Sequence, residues 1–431
     1  MSRSFTMTPA AKGRDYGSVA LPGSKSITNR LLCLAPFCNG TTVLRNPLIS
    51  EDTEAGIGCL AALGVDHSLD SSRSVLEVRG GSSRDFDGAE LFLGSAGTLA
   101  RFLPPMLAMV GGTYRFDGTD QLRGRPMSGT IASLREAGVM FEFLDRPEHL
   151  PFVMSSDTID GDRFTVDGRQ SSQFVSGLLM AAAVSGRAMT VATTGQTVAT
   201  PYLEITIDVI RQLGGAVEHD EYQTFRIDGT RELSGAAIDV EGDASSAAYF
   251  FAGAAVLGGT IDVTNVPPDS KQGDLAFVDV LSQMGCSYRK TESGVVLSGP
   301  TERLSGIDVD MNSMSDQTMT LAVLGVVADG PVTIRNVHHI QHQESRRLEA
   351  CITELRRLGI RVDAREDGLT VFPGTPKPGV VQTYNDHRIA MAFALLGLCY
   401  EGITIADPDC TAKTFPEFFS VFPKIFSPQA P

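Results

Sequence analysis

The sequence predicts an α/β protein of two domains, assembled from six copies of one module that recurs about every 72 residues. A helix-like run of small apolar residues, a glycine and a short β-rich run return six times at near-constant spacing. A second, amphipathic helix pattern lies between the copies. At 431 residues the chain is too long for one ordinary core, and three copies in each of two domains is the even partition.

The copies are LLCLAPFCNGTTVLRN from Leu31, FLPPMLAMVGGTYRFDG from Phe102, LLMAAAVSGRAMTVATTG from Leu178, YFFAGAAVLGGTIDVTN from Tyr249, MTLAVLGVVADGPVTIRN from Met319 and MAFALLGLCYEGITIADPD from Met391. Their glycines are Gly40, Gly112, Gly186, Gly259, Gly330 and Gly402, spaced by 72, 74, 73, 71 and 72 residues. Glycine tolerates the left-handed conformation that ends many helices, so each is expected to stop its helix. The alternating Thr, Val and Ile that follow read as strands. Between copies, GTIASLREAGV, YLEITIDVIRQLGGAV and RRLEACITELRRLGI read as second helices, each running through glycine into a strand. No low-complexity linker interrupts the pattern. The domain crossings are expected near Pro22–Gly23 and Glu241–Gly242, which makes one domain of residues 1–22 with 242–431 and the other of 23–241.

The composition is that of a soluble globular protein, 42% hydrophobic and 20% charged. No apolar run reaches the roughly 18 residues that span a bilayer. The N-terminal MSRSFTMTPAAKGR has no apolar stretch of a secretory signal, so a cytoplasmic location is expected. Cysteines 33, 38, 59, 286, 351, 399 and 410 are scattered and odd in number, which fits buried free thiols. A net charge of −15 disfavours a nucleic-acid polymer or an anionic membrane as partner. No His/Cys cluster has metal-ligand spacing, so no metal is expected.

The segments before the repeated helices concentrate hydroxyls, acids and cations: SKSITNR (24–30), GSAGTLAR (94–101), SSQF (171–174), DASS (243–246), SDQT (315–318) and NDHR (385–388). Each offers a plausible N-cap. Lys25, Arg30, Arg101 and Arg388 are harder to explain as caps, because a cation opposes the positive end of the helix dipole. Cations repeated at equivalent helix starts point instead to a bound anion, held with free backbone N–H groups. Arg123, Arg125, Arg346, Arg347 and Lys413 add to the set, and arginine forks suit carboxylate and phosphate.

The stretches LPGSKSITNR, LGSAGTLARFL, RGRPM, SSQFVSGLLMAAA, EGDASSAAYFFAGAA, DMNSMSDQTMTLA, YNDHRIAMAFALLGL and DPDCTAKTFPEFF resemble the 5-enolpyruvylshikimate-3-phosphate synthase family of enolpyruvyl transferases over nearly the whole chain. The resemblance implies two domains of three βαβαββ units each, closing on ligands at a cleft, and no cofactor. It implies transfer of the carboxyvinyl group of phosphoenolpyruvate to a hydroxyl of shikimate 3-phosphate in aromatic amino-acid biosynthesis, by a chain expected to be a monomer. Phosphoenolpyruvate contacts fall on Lys25, Gly97, Arg125, Gln173, Glu344, Arg347, Arg388 and Lys413. Acceptor contacts fall on Ser26, Arg30, Ser171, Ser172, Gln173, Tyr202 and Asp316.

Three acceptor positions depart from the family pattern. Gln343 stands for a lysine, His339 for an asparagine and Ala199 for a serine; in addition, Ser95 replaces the usual asparagine of G-N-A-G-T. The donor side is complete while the acceptor side lacks one charge and one hydroxyl. His339 when protonated, and the hydroxyl of Thr200, are the candidates to replace them. The alternatives are the same chemistry on another acceptor, such as the nucleotide UMP, or a paralogue that binds without catalysis. The chemistry needs a base for the acceptor hydroxyl and an acid for C3 of phosphoenolpyruvate. Asp316 is assigned as base, and Glu344 as proton carrier with Lys25 as the alternative. A helix cap is the competing role for Asp316, and a surface ion pair with Arg347 for Glu344. His387 is read as structural.

Overall fold

A computed structural model describes residues 3–81, 86, 88–157, 159 and 161–427. The chain divides into two compact units, Met1–Pro22 with Glu241–Pro431, and Gly23–Val240. The second crossing falls one residue before the expected one. Val240 N–H still bonds Arg45 O at 2.8 Å inside its unit, whereas Glu241 Oε1 accepts from Gln272 Nε2 at 2.8 Å in the other.

Among the described residues each unit contains three sheets. In Gly23–Val240, Ala89–Phe92 pairs in parallel with Gly112–Asp117, which pairs antiparallel with Phe152–Ser156, and that strand with Met140–Phe143. The buried Gly97–Ala108 helix connects the two parallel strands, and the Ser128–Glu136 helix leads into the hairpin. This is one βαβαββ module. The same order recurs in the sheet of Arg163–Asp167, Ala188–Thr194, Thr224–Asp228 and Val217–Asp220. The first module is closed by a distant segment: Ala237–Asp239 lies parallel to Gly40–Arg45. In the other unit Asp15–Val19 lies parallel to Thr260–Val263, and Ser4–Thr6 lies antiparallel to Ile403–Ala406. The chain ends thus complete modules whose bulk lies far along the sequence.

The helices of the apolar repeats form the cores. Ser172–Val184 is buried at every position except Gln173, and its neighbour Gly97–Ala108 at every position except Thr98. They approach backbone to backbone, since a Cβ on Gly177 would sit 2.1 Å from Arg101 O. Such helices need no polar face because sheets and sister helices cover them on all sides.

The glycine stops are only partly as expected. Gly186 and Gly402 follow helix ends with positive φ, whereas Gly40 and Gly112 open the following strands. The Ala244–Leu257 helix ends on Gly258 in the left-handed conformation, and Gly259 instead packs where a Cβ would meet Arg14 O at 2.3 Å. The Thr318–Val327 helix ends on an extended Ala328 with no left-handed glycine. The seven cysteines are free, five of them buried, and burial pushes the Cys59, Cys286 and Cys351 thiols up to about 12. No helix among the described residues is long and apolar enough to cross a membrane.

Candidate active site

In the unit of residues 1–22 and 241–431, five of the expected site residues meet in one ion network. Arg347 opens the Arg347–Arg357 helix and is almost wholly buried. Its guanidinium donates from Nε to Asp386 Oδ2 at 2.9 Å, from Nη1 to Asp316 Oδ1 at 2.8 Å and from Nη2 to Glu344 Oε2 at 2.6 Å. Arg388 Nη2 reaches Asp316 Oδ2 at 2.6 Å, and Lys413 Nζ reaches Glu344 Oε1 at 3.4 Å. Burial alone would lower the Arg347 pKa; Asp386, Glu344 and Asp316 together more than offset it, and the net direction is up.

Local structure explains why these groups converge. Asp386 caps the His387–Cys399 helix, accepting from Arg388 N–H at 3.0 Å, and Ser345 Oγ donates to its Oδ2 at 2.9 Å. Tyr384 and Asn385 precede it with φ of 56° and 52°. The buried Glu354 accepts from Gln382 N–H at 2.9 Å and Tyr384 OH at 2.8 Å, which holds that strained turn. Asp316 is not a helix cap. It lies in the 3-10 turn Asn312–Gln317, and Gln317 takes the cap position of the following helix. The Glu344–Arg347 pair forms at i,i+3 but is buried, so it is not a surface pair.

His339 and Gln343 lie on the 3-10 turn His338–His342 and at its end. Burial pulls the His339 pKa down to about 4, with Asp316 opposing and His338, Arg347 and His342 adding to the fall. His339 is therefore neutral at pH 7 and does not replace the missing lysine charge within the chain. His387 is fully buried, as a structural residue would be. Arg346 pairs with Glu349 at 2.9 Å on the exposed face of its helix, apart from the network.

The unit Gly23–Val240 holds the remaining candidates. Lys25 opens the Lys25–Leu34 helix, and its Nζ lies 3.5 Å from Asp52 Oδ2. Asn29 Nδ2 donates to Thr98 Oγ1 at 2.7 Å, joining that helix to the start of Gly97–Ala108. There a Cβ on Gly97 would fall 2.2 Å from Arg125 Nη1, so the guanidinium lies directly over the glycine at the helix N-terminus. Ala96, not Ser95, occupies the cap position, and Ser95 Oγ bonds Thr119 Oγ1 at 2.8 Å. Arg101 donates to Gly97 O at 3.1 Å and Pro126 O at 2.7 Å, fixing the segment that carries Arg125. Arg123 is half-exposed and paired with Asp117 at 2.9 Å, so its charge is spent locally.

Ser171 caps the Ser172–Val184 helix by accepting from Gln173 N–H at 3.2 Å, which places Ser171, Ser172 and Gln173 at one helix start. Arg30 is fully buried. It donates to Thr206 Oγ1 at 2.7 Å, Ser26 O at 2.8 Å and Tyr202 O at 2.9 Å, with Phe102 beneath it at 5.1 Å. Burial pulls its pKa down to about 10. Arg30 thus ties Ser26 to Tyr202, both expected at the acceptor.

Asp52, Glu354 and Asp386 were not singled out in the sequence. Asp386 stood visible as the cap of NDHR. Asp52 is hidden in an ordinary capping segment, SEDTE, and Glu354 in an ordinary amphipathic helix. Among the described residues no group of His, Cys, Asp and Glu could hold a metal ion.

The sequence model of the EPSP synthase (3-phosphoshikimate 1-carboxyvinyltransferase) family matches residues 10–422. The chain is 40% identical over 418 residues to the 3-phosphoshikimate 1-carboxyvinyltransferase of Trichormus variabilis, covering 97% of this chain and 98% of the other. It is 40% identical over 429 residues to that of Serratia proteamaculans, covering 99% of each. In structure it resembles EPSP synthase from Acinetobacter baumannii, with a TM-score of 0.78 at 24% identity over 96% of each chain. It also resembles the enolpyruvyl transferase NikO from Streptomyces tendae, with a TM-score of 0.73 at 19% identity over 99% of this chain and 97% of that one. These last two likenesses concern the fold. The family match and the full-length relatives show that the chain belongs to the EPSP synthase (3-phosphoshikimate 1-carboxyvinyltransferase) family.

Proposed function

We propose that the protein transfers the carboxyvinyl group of phosphoenolpyruvate to a hydroxyl of shikimate 3-phosphate and releases inorganic phosphate. The observation that supports this most is the Arg347 network, in which a base candidate and an acid candidate share one guanidinium. In the first step Asp316 takes the proton of the acceptor hydroxyl as its oxygen attacks C2, and C3 receives a proton from Glu344. In the second step a C3 proton returns to Glu344 as the C2–O bond to phosphate breaks, which restores the double bond, and the proton held by Asp316 leaves with the phosphate. Lys25 is the alternative proton carrier. Arg125, Arg347, Arg388 and Lys413 bind the donor carboxylate and phosphate and stabilise the developing charge. Gly97 and Gln173 complete the donor contacts. Ser26, Arg30, Ser171, Ser172, Gln173, Tyr202, Asp316, His339 and Gln343 are assigned to the acceptor.

The network also suggests how proton delivery follows donor binding. Glu344 is held between Arg347 and Lys413, a setting that favours its anion. A donor anion that engages those two cations weakens their hold, and Glu344 then takes up a proton.

The test is phosphate release from phosphoenolpyruvate with shikimate 3-phosphate, compared with UMP as acceptor. Rapid release with shikimate 3-phosphate is expected; release with UMP alone would overturn the acceptor assignment. Gln343→Lys restores a charge-assisted bond worth about 1.5–3 kcal/mol. The KM for shikimate 3-phosphate should then fall by about tenfold or more, and an unchanged KM removes Gln343 from the acceptor set.

A further inference from the structure

A buried carboxyl outside the assigned machinery stands next to the base. Asp274 lies in the 3-10 turn Gly273–Ala276 and is nearly inaccessible. Its Oδ2 accepts from Gln317 Nε2 at 3.1 Å and from Ser245 Oγ near the start of the Ala244–Leu257 helix. Its Oδ1 is buried and accepts no hydrogen bond among the described residues. Gln317 follows Asp316 directly and is itself fully buried. The Gln317 amide is specified at both ends: Nε2 also donates to Ser245 O at 3.3 Å, and Oε1 accepts from Thr320 Oγ1 at 3.0 Å. The backbone it anchors is irregular, for Met314 in the same turn has φ −136° and ψ 44°.

We infer that Asp274 is a positioning residue for Asp316: it clamps Gln317 and sets a second buried negative charge beside the base. The inference rests on the reading of Asp316 as base. Packing alone does not call for the charge. An asparagine of the same shape would accept the same two bonds without the cost of burying an anion. That cost is visible, because burial, with Asp316 adding to it, pushes the Asp274 pKa up to about 6 against the pull of Arg388, Ser245 and Gln317. What the charge does is electrostatic. Arg347 and Arg388 both bond Asp316 and weaken it as a base; a neighbouring carboxylate opposes them. The other ionisable groups around Asp274 do not supply this. Tyr249, whose OH accepts from Arg388 Nη1 at 3.5 Å, is pushed up to about 12 and stays neutral, and Asp279 on the Phe277–Gln283 helix is engaged by Tyr288 OH.

Asp274→Asn removes the charge and keeps the shape. With phosphoenolpyruvate and shikimate 3-phosphate, kcat should fall about tenfold, with both KM values within about threefold of wild type. The acid limb of the kcat profile should move down by about one pH unit. Stability should move the other way. Because Asp274 has a folded pKa above its ordinary 3.8, the wild-type chain gains stability as pH falls from about 6 towards 4. The variant should therefore melt about 3 °C higher than wild type above pH 6, with the advantage gone near pH 4. Gln317→Leu keeps the charge and cuts the clamp, so kcat should fall without a shift of the acid limb. An Asp274→Asn profile that superimposes on wild type would overturn the inference, as would a lowered melting temperature with KM rising alongside the loss of kcat. Asp316→Asn separates the two readings: if it retains wild-type turnover, the base assignment fails whatever Asp274→Asn does.

Discussion

Among the described residues Arg30 and Arg347 are the two largest fully buried side chains, one in each unit, and their surroundings are opposite. Arg30 bonds only to hydroxyls and backbone carbonyls, and burial lowers its pKa. Arg347 meets three carboxylates, and its pKa moves up. Two buried helical arginines, one inside its helix and one opening it, thus do different work. Arg30 spans from the Lys25–Leu34 helix to Pro201–Gln212 and fixes the framework that presents Ser26 and Tyr202. Arg347 gathers the charges that the proposed reaction uses.

That contrast can be broken at Arg347 first. Arg347→Met leaves Asp316, Glu344 and Asp386 without their shared cation, a loss of about 3–5 kcal/mol in stability. kcat/KM should fall about a thousandfold, since a main transition-state cation is gone. Urea unfolding and phosphate-release kinetics read the two effects separately, and a variant that keeps wild-type kcat/KM would remove Arg347 from the site.

Gly97→Ala is the next largest. The backbone there accepts alanine, but the new Cβ displaces the Arg125 guanidinium. Overpacking of this kind costs about 1–3 kcal/mol. It should appear as a rise of about tenfold in KM for phosphoenolpyruvate, with the melting temperature lowered by about 1–3 °C. An unchanged KM would show that Arg125 does not need its place over Gly97.

Arg30→Lys gives the smallest change in rate and sharpens the comparison most. Lysine keeps the charge and loses the fork, so the bonds to Thr206 and Tyr202 cannot both persist. A loss of about 2–3 kcal/mol in stability is expected. If Arg30 serves the framework alone, kinetic constants of the folded variant stay near wild type. If it also touches the acceptor, KM for shikimate 3-phosphate rises while KM for phosphoenolpyruvate does not.

The sixfold module was legible because burial imposes a period on sequence: a helix covered on all sides must be apolar throughout, and a strand must follow it at a fixed distance. The cations at helix starts were legible because they contradict the helix dipole. Helix ends were less so. Gly259 and Gly330 sit where a stop was expected, yet Gly258 and an extended Ala328 end those helices. Sequence places a glycine in a turn but does not say whether it serves a helix end or a close contact with another strand.

By itself, the sequence determined the module, its sixfold repetition, the list of charged candidates and the three departures at the acceptor positions. The first three are properties of spacing or residue type, and the departures are read against the family that the sequence resembles. Only the tertiary structure decided which strand closes each module, as when Ala237–Asp239 pairs with Gly40–Arg45. It also decided where each charge is engaged: Arg123 is paired with Asp117 and Arg346 with Glu349 on the surface, while Arg347 is buried among three carboxylates. The physical reason is that an ion pair depends on distance and burial. Glu344 is a local i,i+3 partner of Arg347, but Asp386 and Lys413 join the network only when separate modules pack, and no local pattern in the chain records that.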